Sequence, residues 1–222
     1  MTRRMIIPLL FGLIGAVVLL GLGLWQLDRL AWKETALADI TARIVADPVA
    51  LPANPDPVAD RYLPVTVDGT FTGEGLDVLV SRKEIGAGVR VIEVFETGAR
   101  RVMVDRGFVA DGARVSPRGP DATTVIGNLH WPDEIDSFTP EPDAKTGLWF
   151  ARDVPQMAAR LATEPLLIVA RDPTAPGIEP MPVDTSNIPN NHLGYAVQWF
   201  GLAAVWLGMT AYLLWRIRRR TV

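Results

Sequence analysis

Two uncharged apolar runs stand near the ends of the chain, and a turn-punctuated stretch of alternating character fills the interval. Residues Met5 to Leu24 are almost wholly apolar, and Tyr195 to Trp215 repeat the pattern. Each has the roughly 20 residues that a helix needs to cross a bilayer. A helix also satisfies its own backbone hydrogen bonds in hydrocarbon. The pattern predicts transmembrane helices over 5–27 and 194–215. Trp25, Arg29, Trp32 and Lys33 recur at helical spacing and no breaker comes before Pro48, so the first helix is expected to continue as a stalk to about residue 46. A basic head, Arg3 and Arg4, precedes the first run as in a signal peptide. Its apolar core is longer than the usual ~7–15 residues and no small-x-small cleavage site precedes Trp25, so a retained anchor is expected.

Between the runs the period changes to two. Leu63, Val65 and Val67 alternate with Pro64, Thr66 and Asp68; Val102 and Val104 alternate with Arg101, Met103 and Asp105; Val125, Leu129 and Trp131 share a face. Gly73-Glu74-Gly75, Gly86-Ala87-Gly88 and Asp111-Gly112 read as the turns between strands. One helix interrupts the alternation. Asp153 offers a cap, Pro155 suits the first turn, and Val154, Met157, Ala158 and Leu161 fall on one face. Leu166 to Ala170 makes a last strand. Clustered prolines mark linkers at 48–64 and 173–189. The expected fold class is a membrane protein with N- and C-terminal transmembrane helices flanking one α+β domain over 47–190. That domain is expected to be mainly antiparallel β, barrel-like, with six or seven short strands, and basic tails follow at 1–4 and 216–222.

Charge sets the orientation. Arg3 and Arg4 flank one span and Arg216, Arg218, Arg219 and Arg220 the other, which places both termini in the cytoplasm and the central domain in the periplasm of an inner membrane. Without those six arginines, 16 basic residues of the 22 remain against 25 acidic, a formal charge of −9 for the rest. Such acidity speaks against nucleic acid as a partner, which requires a basic surface. The lipid bilayer is the partner the spans imply. With Cys 0 there is no disulfide framework, thiolate metal site or Cys-x-x-Cys-His haem attachment.

Only 2 histidines remain for soft-metal chemistry. His192 follows Asn190 and Asn191, either of which can cap the second span. It would fall in the first helical turn, where the helix dipole disfavours imidazolium and keeps a lone pair for a metal. Tyr195 or Ala196, Trp199, Leu202 or Ala203, and Trp206 follow at helical spacing, a trough that suits a planar porphyrin with an apolar tail. On the first helix Trp25 could stack on such a ring, and Arg29 and Lys33 could pair with its carboxylates. The same residues equally suit an interfacial aromatic belt with snorkelling cations. Asp184, Ser186 and His192 suggest a hydrolase, but no Gly-x-Ser-x-Gly elbow accompanies them. His130, beside Asp133 and Glu134, is a weaker metal candidate, and the acidic run from Asp133 to Asp143 reads as a solvated loop with at most weak calcium binding.

Four motifs, in order along the whole chain, carry a resemblance. Gly23-Leu24-Trp25-Gln26-Leu27-Asp28-Arg29-Leu30-Ala31-Trp32-Lys33, Asp105-Arg106-Gly107-Phe108-Val109, the helix and strand from Asp153, and Asn191-His192-Leu193-Gly194-Tyr195-Ala196-Val197-Gln198-Trp199-Phe200 together resemble the Surf/Shy (surfeit-locus) family of cytochrome c oxidase assembly factors, in its bacterial form. The resemblance implies an assembly factor rather than an enzyme. It implies transient binding of haem a through His192, and a place between haem a synthase and the oxidase core subunit. A membrane-tethered scaffold that chaperones the core subunit without handling haem is the alternative.

Overall fold

The computed structural model describes residues 3–83, 85–113, 121–186 and 188–220. The outermost residues of both predicted basic tails lie outside them. In chain order the elements are α1 (Arg3–Ile44), β1 (Val49–Ala50), β2 (Pro64–Arg82), β3 (Gly86–Thr97), β4 (Arg100–Ala110), β5 (Asp121–His130), β6 (Leu148–Trp149), α2 (Val154–Leu161), β7 (Leu167–Ala170) and α3 (His192–Arg220). They form two compact units. Residues up to Asp39 join those from Thr185 onward in one, and Ile40–Asp184 make the other.

The first unit is a helix pair, and both helices are long and apolar enough to cross a membrane. Their contacts run in opposite directions along the chain: Gly12 meets Thr210, Gly15 meets Trp206, and Gly23 meets Phe200. A Cβ added at these glycines would stand 2.2, 2.4 and 2.5 Å from those side chains, so only glycine admits the approach. Trp206 also donates its Nε1–H to the Gly12 carbonyl at 2.9 Å and packs on Phe11. Ala16, Ala196 and Ala203 are buried along the same seam. Not every small residue of the two helices lies on the seam: Gly21, Gly201 and Gly208 face open space and Ala204 is exposed.

The second unit is a seven-stranded mixed sheet. β2 is much longer than expected because Gly73-Glu74-Gly75 is no turn; it is a bulge inside the strand, where the register against β3 shifts between Phe71 and Gly75. The first half of β2 pairs with β5 and the second with β3. With β3–β4, β4–β7 and β7–β5, the pairings close a circuit back to β2. The pairings β1–β2, β2–β6 and β4–β7 are parallel and β2–β3, β2–β5, β3–β4 and β5–β7 antiparallel, so the sheet expected to be mainly antiparallel is a mixed one. Gly86-Ala87-Gly88 opens β3; the turn lies just before it, closed by the Ile85 amide on the Arg82 carbonyl at 3.1 Å.

Each face of the sheet buries its own cluster. Val65, Val67, Phe71, Phe95, Val102, Val104, Val125, Leu129 and Ile168 pack together on one. On the other, Ile92, Val94, Met103, Leu167 and Val169 are covered by Trp149 and by α2 through Val154, Met157, Ala158 and Leu161. The α2 pattern matches its sequence reading. Asp153 accepts from the Gln156 amide at 3.0 Å, and the helix ends on Ala162 in the left-handed conformation.

The second proline-rich segment is packed in its first half rather than spanning as a tether. Glu179 exchanges backbone hydrogen bonds of 2.7 and 2.9 Å with Phe108, Arg90 donates to the Met181 carbonyl at 2.9 Å, and Ile178 is buried against Val91 and Val109. Gly107 lies under this strap with φ +120°, and a Cβ there would sit 2.1 Å from the Glu179 carbonyl oxygen. Its neighbours hold the buried charges. Arg106 bonds Glu93 at 2.5 Å and lies over the Phe71 ring. Asp105 takes Arg90 at 2.8 Å and Arg152 at 3.2 Å, and Arg152 continues to Glu134.

Candidate functional site

His192 is the first residue of α3. The Asn191 carbonyl accepts from the Tyr195 amide at 3.2 Å, which puts Asn191 at the capping position. Asn190, the other expected cap, keeps its Oδ1 buried with no hydrogen-bond partner. The imidazole is oriented from the other helix: His192 Nδ1 stands 2.8 Å from Gln26 Oε1, and Gln26 is only 8% exposed. A carboxamide oxygen can only accept, so Nδ1 carries the hydrogen. In the neutral ring this leaves the Nε2 lone pair free, the form that ligates a metal. Those donor properties suit the single imidazole of an iron porphyrin site.

Sequence reasoning had passed over Gln26. Its signal was nevertheless present, because a carboxamide beside an apolar run needs a hydrogen-bond partner, taken either from solvent or from the chain.

The structure brings together only part of the expected trough. Trp199 and Phe200 are half-buried, with Phe200 against Gly23. Tyr195 is 51% exposed and stands off the seam that His192, Ala196 and Ala203 define. Trp25, next to Gln26 in sequence, is also mostly exposed. Arg29 places its guanidinium 4.6 Å from the Trp32 ring centroid, and Lys33 is half-buried. Farther along the helix pair an apolar groove of about 500 Å³ opens between Phe11, Ile14, Val18, Leu202, Trp206 and Met209. Of the expected trough residues, Leu202 and Trp206 line it.

The rival sites are occupied otherwise. The nitrogen of His192 that a serine-hydrolase acid would have to engage is taken by Gln26. Glu134, the suggested metal partner of His130, is bound to the Arg152 guanidinium and accepts its backbone amide at 2.9 Å. His130 stacks on Tyr62, ring centroids 5.5 Å apart. Burial, reinforced by the charges of Arg152 and Arg61, lowers its pKa to about 4. Asp136 and Asp143 turn back on their own loop, accepting the amides of Phe138 and Lys145, each at 2.8 Å. Among the described residues no three acidic or histidine side chains are grouped to hold a metal ion.

Two terminal helices long and apolar enough to cross a membrane, a mixed-sheet unit between them in the chain, and an imidazole at the start of the second helix held by a carboxamide of the first are the features that define this class of protein. Residues 13–204 match the model of the SURF1 family. The chain is 30% identical to surfeit locus protein 1 of Rattus norvegicus, over 88% of this chain and 71% of the rat protein. It is 32% identical to a SURF1-like protein of Monosiga brevicollis, over 89% and 84% of the two chains. Against surfeit locus protein 1 of Homo sapiens the identity is 30%, over 89% and 73%. The chain belongs to the SURF1 family.

Proposed function

We propose that the protein is an assembly factor for haem-copper cytochrome c oxidase. It holds haem a at the periplasmic surface of the inner membrane and aids its delivery from haem a synthase to the core subunit. The family membership supports the pathway. The observation that carries the haem reading is the hydrogen bond between His192 Nδ1 and Gln26, which leaves Nε2 free at the end of a span. In this reading both helices cross the bilayer with their termini in the cytoplasm, and the barrel-like sheet unit is periplasmic.

Haem a is cargo here, and its iron is what Nε2 would hold. The apolar tail of the cargo is insoluble in water and stays in hydrocarbon beside the two spans. Trp25, Tyr195 and Trp199 would border the ring, and Arg29 would meet its carboxylates. A single imidazole, with no cluster of ligands around it, suits release as much as capture. The protein does no bond-making of its own in this role.

The test is purification in detergent from cells able to make haem a, followed by an absorption spectrum. The expected result is a haem a spectrum that is lost in His192→Ala. An unchanged spectrum in that variant would remove His192 from the role.

A second reading, a scaffold that grips the core subunit without haem, draws on a different surface. It cannot use Arg106 to Phe108, which are buried. The Asp133–Asp143 loop instead presents Phe138, 88% exposed, and Ile135, 50% exposed, among acidic side chains. A photocrosslinker in place of Phe138 that captures the core subunit, from a preparation with no haem at any stage, would favour it.

A further inference from the structure

We infer that Gln26 is the positioning residue of the haem site, fixing the tautomer of His192 and keeping its hold on iron weak enough to reverse. This inference rests on the haem reading above.

The geometry is specific. Gln26 reaches His192 from the other helix, across 166 positions of sequence, and it is buried while its neighbours Trp25 and Leu27 are exposed. A side chain at the end of an apolar span could have turned to solvent or headgroups at little cost. This one is turned inward to a 2.8 Å hydrogen bond. Without a partner, an imidazole in water puts its hydrogen on either nitrogen. With Oε1 as an obligate acceptor the hydrogen is fixed on Nδ1, and Nε2 is the nitrogen presented to a ligand. The contact also sets the ring plane, because Nδ1–H must point along the line to Oε1.

The kind of acceptor matters as well as its place. A carboxylate in this position would draw the Nδ1 hydrogen strongly and make the ring more basic, so that iron is held more firmly. A carboxamide carries no charge and does so only weakly. It therefore orients the ligand while leaving it a modest donor, the combination a carrier that must release its cargo requires. Gln26 lies within the first motif and His192 in the last, so the contact also joins the two most distant signature segments of the chain.

Three variants of the full chain in detergent, Gln26→Leu, Gln26→Glu and His192→Ala, test this, with three readouts. In the haem-free protein labelled with nitrogen-15 histidine, NMR distinguishes the two tautomers. His192 is expected to show a hydrogen on Nδ1 in the native protein and a mixture of tautomers in Gln26→Leu. In the haem-loaded protein, the rate of haem transfer to an excess of apomyoglobin should rise about 10–100-fold in Gln26→Leu. In Gln26→Glu it should fall below that of the native protein, with the ferrous iron–imidazole stretch moving to higher frequency. Gln26→Leu and Gln26→Glu have similar bulk, so opposite shifts cannot come from a packing defect common to both.

Native tautomer and native transfer rate in Gln26→Leu would overturn the assignment of Gln26. If His192→Ala still abolishes haem binding in that case, the haem reading stands without it. If His192→Ala leaves haem binding unchanged, the haem reading fails and the assignment of Gln26 falls with it.

Discussion

Asp105 is fully buried as a side chain and faces two guanidinium groups, those of Arg90 and Arg152. Burying three ionised groups is tolerable only while they compensate one another. Asp105→Asn removes the one charge that both arginines share and leaves a buried excess of positive charge beside Met103 and α2. The expected cost is about 3–5 kcal/mol in the stability of the sheet unit, the range for one partner removed from a buried ion pair. Urea unfolding followed by tryptophan fluorescence measures it. A loss below about 1 kcal/mol would show that the cluster is solvated in solution. In the sequence Asp105 read only as the polar half of an alternation, because period two assigns a face and not a partner. Gly107 was equally opaque: its need for glycine comes from the Glu179 carbonyl, 72 positions away and brought close by the strap. The place of His192 in the first turn of the second long helix was legible, since the asparagines before it and the apolar run after it are local signals. The hydrogen bond that orients it was not.

Elements whose signals are local were read well, and those that depend on distant partners were not. Helix α2 carries its cap, its proline and its apolar face within ten residues, and the structure matches each. The strand β2 misled because two glycines around Glu74 look like a turn. They serve instead as a bulge that Glu93 closes by accepting the Gly73 amide at 3.0 Å. The helix pair shows the same division. That the apolar runs are helices follows from their composition, whereas the rotation of each about its axis depends on which small residues the other helix happens to meet. Here steric fit and hydrogen bonding can be ranked. Gly15→Leu forces a side chain into the space where a Cβ alone would come within 2.4 Å of the Trp206 ring. Overpacking of this kind costs about 1–3 kcal/mol. Trp206→Phe keeps most of the ring and loses only the bond to the Gly12 carbonyl, worth about 0.6 kcal/mol between helices in a membrane. Thermal unfolding in detergent is therefore expected to show a clearly larger loss for Gly15→Leu than for Trp206→Phe. The reverse order would mean that the seam does not run through Gly15.

At the scale of the molecule, two histidines in a chain of formal charge −3 leave few groups to couple folding to mild acidity. His130 is the one in the sheet unit. It is neutral in the folded state down to about pH 4 because burial, with Arg152 and Arg61 nearby, holds its pKa at about 4 against the ordinary histidine value of 6.5. The unfolded chain takes up a proton there as pH falls through 6.5, and the folded chain does not until about 4. Stability is therefore fully present above pH 6.5 and declines across the window down to 4, where the folded state begins to protonate as well. The full shift corresponds to about 3 kcal/mol; allowing for the part of the ring that solvent reaches, about 2 kcal/mol is expected. Glu134 acts in a different window. Burial opposes its charge, but the Arg152 contacts outweigh that and lower its pKa below 4.5, so its contribution is present above that value and fades only under stronger acid. Between pH 6.5 and 4.5 the histidine acts nearly alone. His130→Phe can still stack on Tyr62 and cannot protonate, so its unfolding free energy should be nearly flat over that interval while that of the native chain falls. Urea titrations of both proteins at pH 7.5, 6, 5 and 4.5 make the comparison, these four values spanning the histidine window. Parallel decline in the two would shift the acid sensitivity to the carboxylates and release His130 from any part in it.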